Sequence, residues 1–230
     1  MPDKTGFLLP LRYGDVLGPG DALSLFAGRP TSIAAVRAAF AENVCLILAT
    51  LRDPDGEMSA PMSVFGVGVQ AAATQLTEVA DGVVKVFVDV NDRVRLRDFT
   101  LQERGLYRVE SEPWPDAPSD ETELRGLARL AFEHFDALRL RAGLPDEANK
   151  LLAAAVPGEN FSHLPWAAVR YLGLGLERHW ISHQRRQELL EAYSLSERLR
   201  VLINLLDQAD PPASLASKVT PLLIRGASYL

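Results

Sequence analysis

Thr77-Glu78-Val79, then Asp81-Gly82, then Val83-Val84-Lys85-Val86-Phe87-Val88 is the stretch from which the fold is read. An Asp-Gly pair between two alternating runs predicts a tight hairpin, because both residues tolerate the positive φ that a short hairpin turn demands. In its second strand Val84, Val86 and Val88 share one face, and Lys85, Phe87 and Asp89 share the other. Working outward, runs bounded by turn residues predict strands over 44–50, 64–70, 73–79, 83–90, 93–97 and 106–111. Asp53-Pro54-Asp55-Gly56 reads as a loop. One helix interrupts the strands. Thr31 or Ser32 is its expected N-cap, and Ile33, Val36, Ala39 and Phe40 recur at helical spacing.

After residue 112 the texture changes. Pro113-Trp114-Pro115-Asp116-Ala117-Pro118-Ser119 holds three prolines in six residues, which continue neither a ladder nor a helix interior. Beyond it Leu124, Leu127, Ala128, Ala131, Phe135, Leu138 and Ala142 trace one apolar stripe. Further helices are expected over 145–155, 162–172, 177–193 and 195–208. Ser194 and Glu197 have the spacing of a capping box at the start of the last one. The expected organisation is a β-rich lobe over 1–112, a proline-rich linker over 113–119, a helical bundle over 120–208 and a tail over 209–230. The fold class is α+β.

Composition bounds the function. Of 230 residues 47% are apolar and 23% charged, as in an ordinary globular chain. The net charge is −6, and residues 1–118 carry 11 basic against 16 acidic side chains. That balance disfavours nucleic acid, whose binding draws on excess positive charge. Cys45 is the one cysteine, so no internal disulfide is available, and its apolar run predicts a buried strand position. No stretch suits a signal peptide or a membrane span, so a cytoplasmic chain with no membrane partner is expected.

The order and spacing of several motifs resemble the amino-terminal, substrate-binding domain of Lon-type ATP-dependent proteases. The first block is Leu9-Pro10-Leu11-Arg12, then Gly18-Pro19-Gly20, Leu25-Phe26, Gly28-Arg29-Pro30 and Ser32-Ile33-Ala34-Ala35-Val36. The second is the hairpin with Arg93-Val94-Arg95-Leu96 beyond it. The third is Arg186-Gln187-Glu188-Leu189-Leu190-Glu191 with Ser196-Glu197-Arg198-Leu199. The resemblance covers roughly 7–208. It implies a twisted β pseudo-barrel lobe of the PUA-like kind with one helix, followed by an α-helical bundle. It also implies recognition of unfolded or apolar polypeptide segments, work beside an ATP-dependent protease or in its regulation, and homo-oligomer contacts. A free-standing copy, without the ATPase and peptidase parts, is expected to be a binding module and not an enzyme. The alternative is a PUA-like RNA-binding or other ligand-binding protein.

The chemistry-bearing residues agree. None of the four lysines (Lys4, Lys85, Lys150, Lys218) follows a glycine, so no phosphate-binding loop of the Gly-Lys-Ser/Thr kind exists. Gly-x-Ser-x-Gly and Ser-x-x-Lys are both missing. Gly66-Val67-Gly68-Val69-Gln70-Ala71 has the form of a dinucleotide fingerprint, but the hairpin that follows leaves no room for the helix that would receive a pyrophosphate. Gly68 is therefore expected at a bend or bulge. His179 and His183 are four apart without a third ligand, and Asp89, Asn91 and Asp92 lack the glycine of a calcium loop. The last three are expected in a solvated strand-end turn. No cofactor, metal site or catalytic residue is expected. Two tryptophans remain, Trp114 in the linker and Trp166 after Pro165. They are the candidate peptide-binding residues, one of them flooring a groove between the lobes.

Overall fold

Strands β4 (Val67–Glu78) and β5 (Val84–Leu101) run antiparallel on either side of Gly82, whose φ of 74° is open to glycine without strain. The Val79 amide donates to the Val83 carbonyl at 2.8 Å where the turn begins. The computed structural model describes residues 4–12, 17–56, 61–79, 82–154, 160–173 and 182–209, so the expectation for Asp81 itself lies outside the described residues. Val84, Val86 and Val88 are fully buried, and Lys85 and Phe87 face outward, as the alternation requires.

Around this hairpin the remaining strands close a ring. They are β1 (Lys4–Leu11), β2 (Ala22–Ala27), β3 (Cys45–Thr50) and β6 (Tyr107–Pro113). β3 pairs with β4, β1 lies parallel to β3, β6 pairs with β1, and β5 pairs with β6. These five strands form a closed pseudo-barrel, and β2 is added outside it on the first half of β5. Helix α1 (Pro30–Glu42) packs against β1, β3 and β4. Leu8, Ile47, Ala49, Leu51, Val64, Val94, Leu96 and Val109 form one apolar cluster inside the lobe.

Several expectations need correction. The runs 83–90 and 93–97 are one strand of 18 residues, and 64–70 and 73–79 merge largely into β4. Ala71 faces Val90 and Gln70 faces Asp92, which leaves Asn91 as the extra residue of a β-bulge. Asp89, Asn91 and Asp92 therefore lie within β5 and not in a strand-end turn. Thr74 is the extra residue on the other strand, and its hydroxyl donates to the Phe87 carbonyl at 3.3 Å. Gly68 sits in regular pairing with Val94, and a Cβ there would collide with the Leu48 carbonyl oxygen. Close backbone approach, and no bulge, is its reason for being glycine. Helix α1 starts at Pro30 with Arg29 as N-cap, since proline at the first helical position loses no hydrogen bond. Its buried residues are Ser32, Ala35, Val36 and Ala39, and Phe40 is exposed. Cys45 is half-buried, its thiol 3.5 Å from the Thr5 carbonyl.

The chain divides into two compact units, Met1–Pro115 and Asp116–Leu230. Pro113 still belongs to the barrel: it faces Val94, and the Trp114 amide donates to the Arg93 carbonyl at 2.9 Å. A proline at the last position of a strand costs no ladder hydrogen bond.

The second unit is helical: α2 (Glu121–Ala142), α3 (Glu147–Ala154), α4 (Leu164–Gly173), α5 (His183–Glu191) and α6 (Leu195–Gln208). The Asp120 carboxylate accepts from the Glu123 amide at the start of α2, and Gly143 ends it at φ 64°. Ala128, Ala131, Phe135, Leu138 and Ala142 are the buried stripe, and α2 packs on α6, whose Leu199, Leu202, Leu205 and Leu206 are buried. Ser194 caps α6 by accepting from the Glu197 amide at 3.1 Å. The return bond of the capping box is shifted by one residue, with Glu197 accepting from the Tyr193 amide at 2.7 Å. Among the described residues no helix is long and apolar enough to cross a membrane.

Candidate polypeptide-binding groove

Among the described residues, the end of β1 and the whole of β2 are laddered on one side only. β6 pairs with β1 over Lys4–Phe7 alone, so Leu8–Leu11 are laddered only to β3. Pro10 suits that position because it brings no amide to the unpartnered flank. β2 is held by β5 along Ala22–Ala27, and no described residue ladders with its other edge. These stretches and the first turn of α1 border a groove of about 410 Å³. It is lined by Leu9, Pro10, Leu11 and Arg12, by Ser24 to Ala27, and by Gly28, Arg29 and Ser32.

Its surface is apolar with two cations. Phe26 is 66% exposed, a large aromatic beside an unpaired strand edge. Phe26 faces Lys85 and Ser24 faces Phe87 across the β2–β5 ladder, so Phe26 and Phe87 lie on one outward face. The Lys85 ammonium stands 5.9 Å from the centre of the Phe26 ring. Arg12 donates through Nη2 to the Gly56 carbonyl at 3.3 Å, and its Nε is buried with no hydrogen-bond partner among the described residues. No aspartate or glutamate is among the described lining residues. Folded proteins generally blunt exposed strand edges with charge, proline or cover, because a bare edge pairs with any extended chain. Among the described residues this edge has no ladder partner and stands beside apolar side chains, which is the geometry for adding a strand.

The tryptophans lie elsewhere. Trp114 follows β6 in the first unit and is half-buried beneath Arg95, whose guanidinium is 3.7 Å from the ring centre. Trp166 is in α4 of the second unit, 3% exposed, with Arg198 4.9 Å above it. Neither lines the groove. His183 is in α5, and His179 lies outside the described residues. Among the described residues no three His, Cys, Asp or Glu side chains cluster as metal ligands.

The groove is not evident from the sequence, although several of its residues belong to recognisable motifs. Leu9-Pro10-Leu11-Arg12, Leu25-Phe26 and Gly28-Arg29 marked a resemblance, and they line one concavity. A proline inside an apolar strand run was the available signal, since it points to a strand flank left without a partner.

The model of the ATP-dependent protease La (LON) substrate-binding domain matches residues 7–208. Lon protease 2 of Thermus thermophilus is 29% identical over 210 residues, which is 90% of this chain and 24% of that protein. Lon protease of Brevibacillus choshinensis is 25% identical over 223 residues, covering 92% and 26%. The chain thus spans about a quarter of the length of these curated relatives. Among solved structures, the N-terminal domain of Mycobacterium avium complex Lon protease has a similar fold, with a TM-score of 0.64 at 23% identity. That match covers 89% of this chain and 98% of the other. A Lon N-terminal domain protein from Xanthomonas campestris gives a TM-score of 0.52 at 16% identity, covering 87% and 97%. The chain belongs to the Lon substrate-binding domain family.

Proposed function

We propose that this member of the Lon substrate-binding domain family is a non-catalytic recognition module for unfolded or apolar polypeptide segments. An extended segment lies in the groove along β2 and adds a strand to the sheet. The observation that carries this reading is the edge of β2, without a ladder partner among the described residues, beside the exposed Phe26 ring. Main-chain hydrogen bonds to a strand edge are indifferent to sequence, while apolar side chains on the added strand find Leu9, Leu25 and Phe26. That combination selects chains that are extended and apolar, which folded proteins are not.

Burial of a few side chains gives about 25 cal/mol per Å² before ordering costs are subtracted. One module therefore binds at roughly micromolar to sub-millimolar strength, and self-association raises it through avidity. Service to an ATP-dependent protease, as adaptor or regulator, is the wider role proposed. Trp114 and Trp166 stand as secondary candidates for peptide contact. Capture of a denatured, fluorescently labelled model protein, followed by anisotropy, tests the reading. Phe26→Ser is expected to weaken capture roughly 5- to 10-fold with an unchanged melting curve, because the ring is mostly solvated in the free protein. Undiminished capture by that variant, or affinity for RNA that collapses with salt in place of affinity for denatured protein, would sink the proposal.

A further inference from the structure

Building on that reading, we infer that the β2 edge selects captured segments by charge order: an acidic, a large apolar and a basic residue at alternate positions, in that order, laid antiparallel to β2. The phase of the sheet fixes which groups the segment meets. The Val90 amide donates to the Asp21 carbonyl at 2.7 Å, and the β2–β5 register continues from there without a shift. Leu23, Leu25 and Ala27 therefore spend their main-chain groups on β5, and Ala22, Ser24 and Phe26 turn theirs to the flank that no described residue ladders. Those same three residues carry their side chains on the outward face, because main-chain direction and side-chain face alternate together along a strand. An added antiparallel strand places side chains of its own on that face, opposite Phe26, Ser24 and Ala22. The residues between them lie on the opposite face, level with Leu25 and Leu23.

The outward face is graded in charge along this edge. Lys85 stands behind Phe26, Phe87 behind Ser24 and Asp89 behind Ala22. All three alternate with Val84, Val86 and Val88, which are fully buried, so they share the outward face. The Lys85 ammonium is 5.9 Å from the centre of the Phe26 ring, which brings the cation toward the edge. A residue opposite Phe26 is two strand spacings from Lys85, about 10 Å, a gap that a glutamate and a lysine side chain span by meeting over the ring. A residue opposite Ala22 is as far from Asp89 with only a methyl group between, and a lysine reaches across it. Opposite Ser24 a large apolar side chain fills the low place between the Phe26 and Phe87 rings. The order is directional. An antiparallel segment meets Phe26 first and Ala22 last, so acid-first charges are matched and base-first charges face their like. A base-first segment recovers the match only as a parallel strand, whose slanted hydrogen bonds are less stable.

The test compares three labelled peptides with blocked termini, built on Glu-Leu-Phe-Leu-Lys, Lys-Leu-Phe-Leu-Glu and Gln-Leu-Phe-Leu-Gln, titrated into the intact chain at low salt and followed by anisotropy. The acid-first peptide is expected to bind about 5-fold tighter than the base-first one, with the neutral peptide between them, as for two exposed ion pairs. Raised salt is expected to shrink that difference. In Lys85→Glu/Asp89→Lys, which exchanges the two charges, the preference is expected to invert, an outcome that loss of folding does not produce. Equal binding of the acid-first and base-first peptides by the unmodified chain overturns the inference while leaving strand capture intact. A preference that persists unchanged in the exchange variant also overturns it. Failure of all three peptides, with denatured protein still captured, overturns it as well. Failure with denatured protein too removes the proposed function beneath it. If the exchange variant does not fold, as judged by circular dichroism, Lys85→Gln at that exposed position takes its place, and an undiminished preference there overturns the inference.

Discussion

Arg198 is the side chain whose loss should cost the helical unit most. It is 1% exposed and spends its whole fork. Nε donates to the Leu189 carbonyl at 3.0 Å, Nη1 to Asp116 Oδ2 at 3.0 Å and Nη2 to Asp116 Oδ1, while the guanidinium lies over the Trp166 ring. Arg198→Ala leaves the Asp116 carboxylate without its bidentate partner, strands the Leu189 carbonyl and opens a void over the Trp166 ring. Breaking a buried pair from one side costs about 3–5 kcal/mol. The Asp116 side chain is one-third exposed, so water recovers part of its solvation and places the figure near the lower bound. The lost bond to Leu189 and the void work in the opposite direction. The expected loss is about 3–4 kcal/mol. Arg198→Lys, which keeps the charge but not the planar fork, should lose about 1–2 kcal/mol. Urea unfolding read by the helical circular dichroism signal isolates this unit, since the barrel contributes mostly strand. A loss under about 1 kcal/mol for Arg198→Ala, or a lysine variant as unstable as the alanine one, would refute the reasoning.

Two further outcomes follow from the packing. Gly68→Ala drives a methyl group into the Leu48 carbonyl between β3 and β4, and the strands must separate to admit it. The barrel should lose at least about 2 kcal/mol, visible as a lower melting temperature, and an unchanged melt would show that the ladder gives way freely. Asp136 accepts from Asn149 at 2.5 Å and from Arg139 at 2.8 Å, and these bonds, the Asn149 one first, hold its carboxyl below the ordinary 3.8. A depressed folded value means stability that is fully present above that ordinary value and lost as the pH falls through the folded one. The melting-temperature gap between the parent and Asp136→Asn should therefore be constant near neutrality and shrink below about pH 4. A gap that widens on acidification would contradict the sign.

The hairpin was legible because Asp81-Gly82 and the valine alternation are local signals, and the α2 stripe because five of its seven named residues are buried on one face. What the sequence concealed was non-local. Asn91-Asp92 has the composition of a turn, yet it lies in a strand because β4 holds it on one side and the bulge absorbs the odd residue. β1 and β2 are hard to assign as strands from the sequence, since their partners lie far along the chain, and among the described residues Leu8–Leu11 and all of β2 are laddered on one side only. The groove is hidden for the same reason: Leu9–Arg12 and Ser24–Ala27 stand 12 to 18 residues apart, and only the folded sheet brings them to one concavity. Trp114 and Trp166 are legible as large aromatics, whereas the arginine stacked on each ring is a contextual property that residue type does not encode.

Lys4 lies opposite Ser111 in the β1–β6 ladder, so the barrel unit begins and ends at one seam. Its start and finish are neighbours in space though they are about a hundred positions apart in sequence. That seam is the last pairing a growing chain can complete, because β6 must be synthesised before β1 finds it, and the loop it closes is the longest in the ring. The lobe is consequently a cyclic object cut open at an arbitrary point. A short linker across the seam, with new termini opened at the turn after β4, would give a circular permutant with the same ring of strands and a hairpin turned from the earliest contact into the latest.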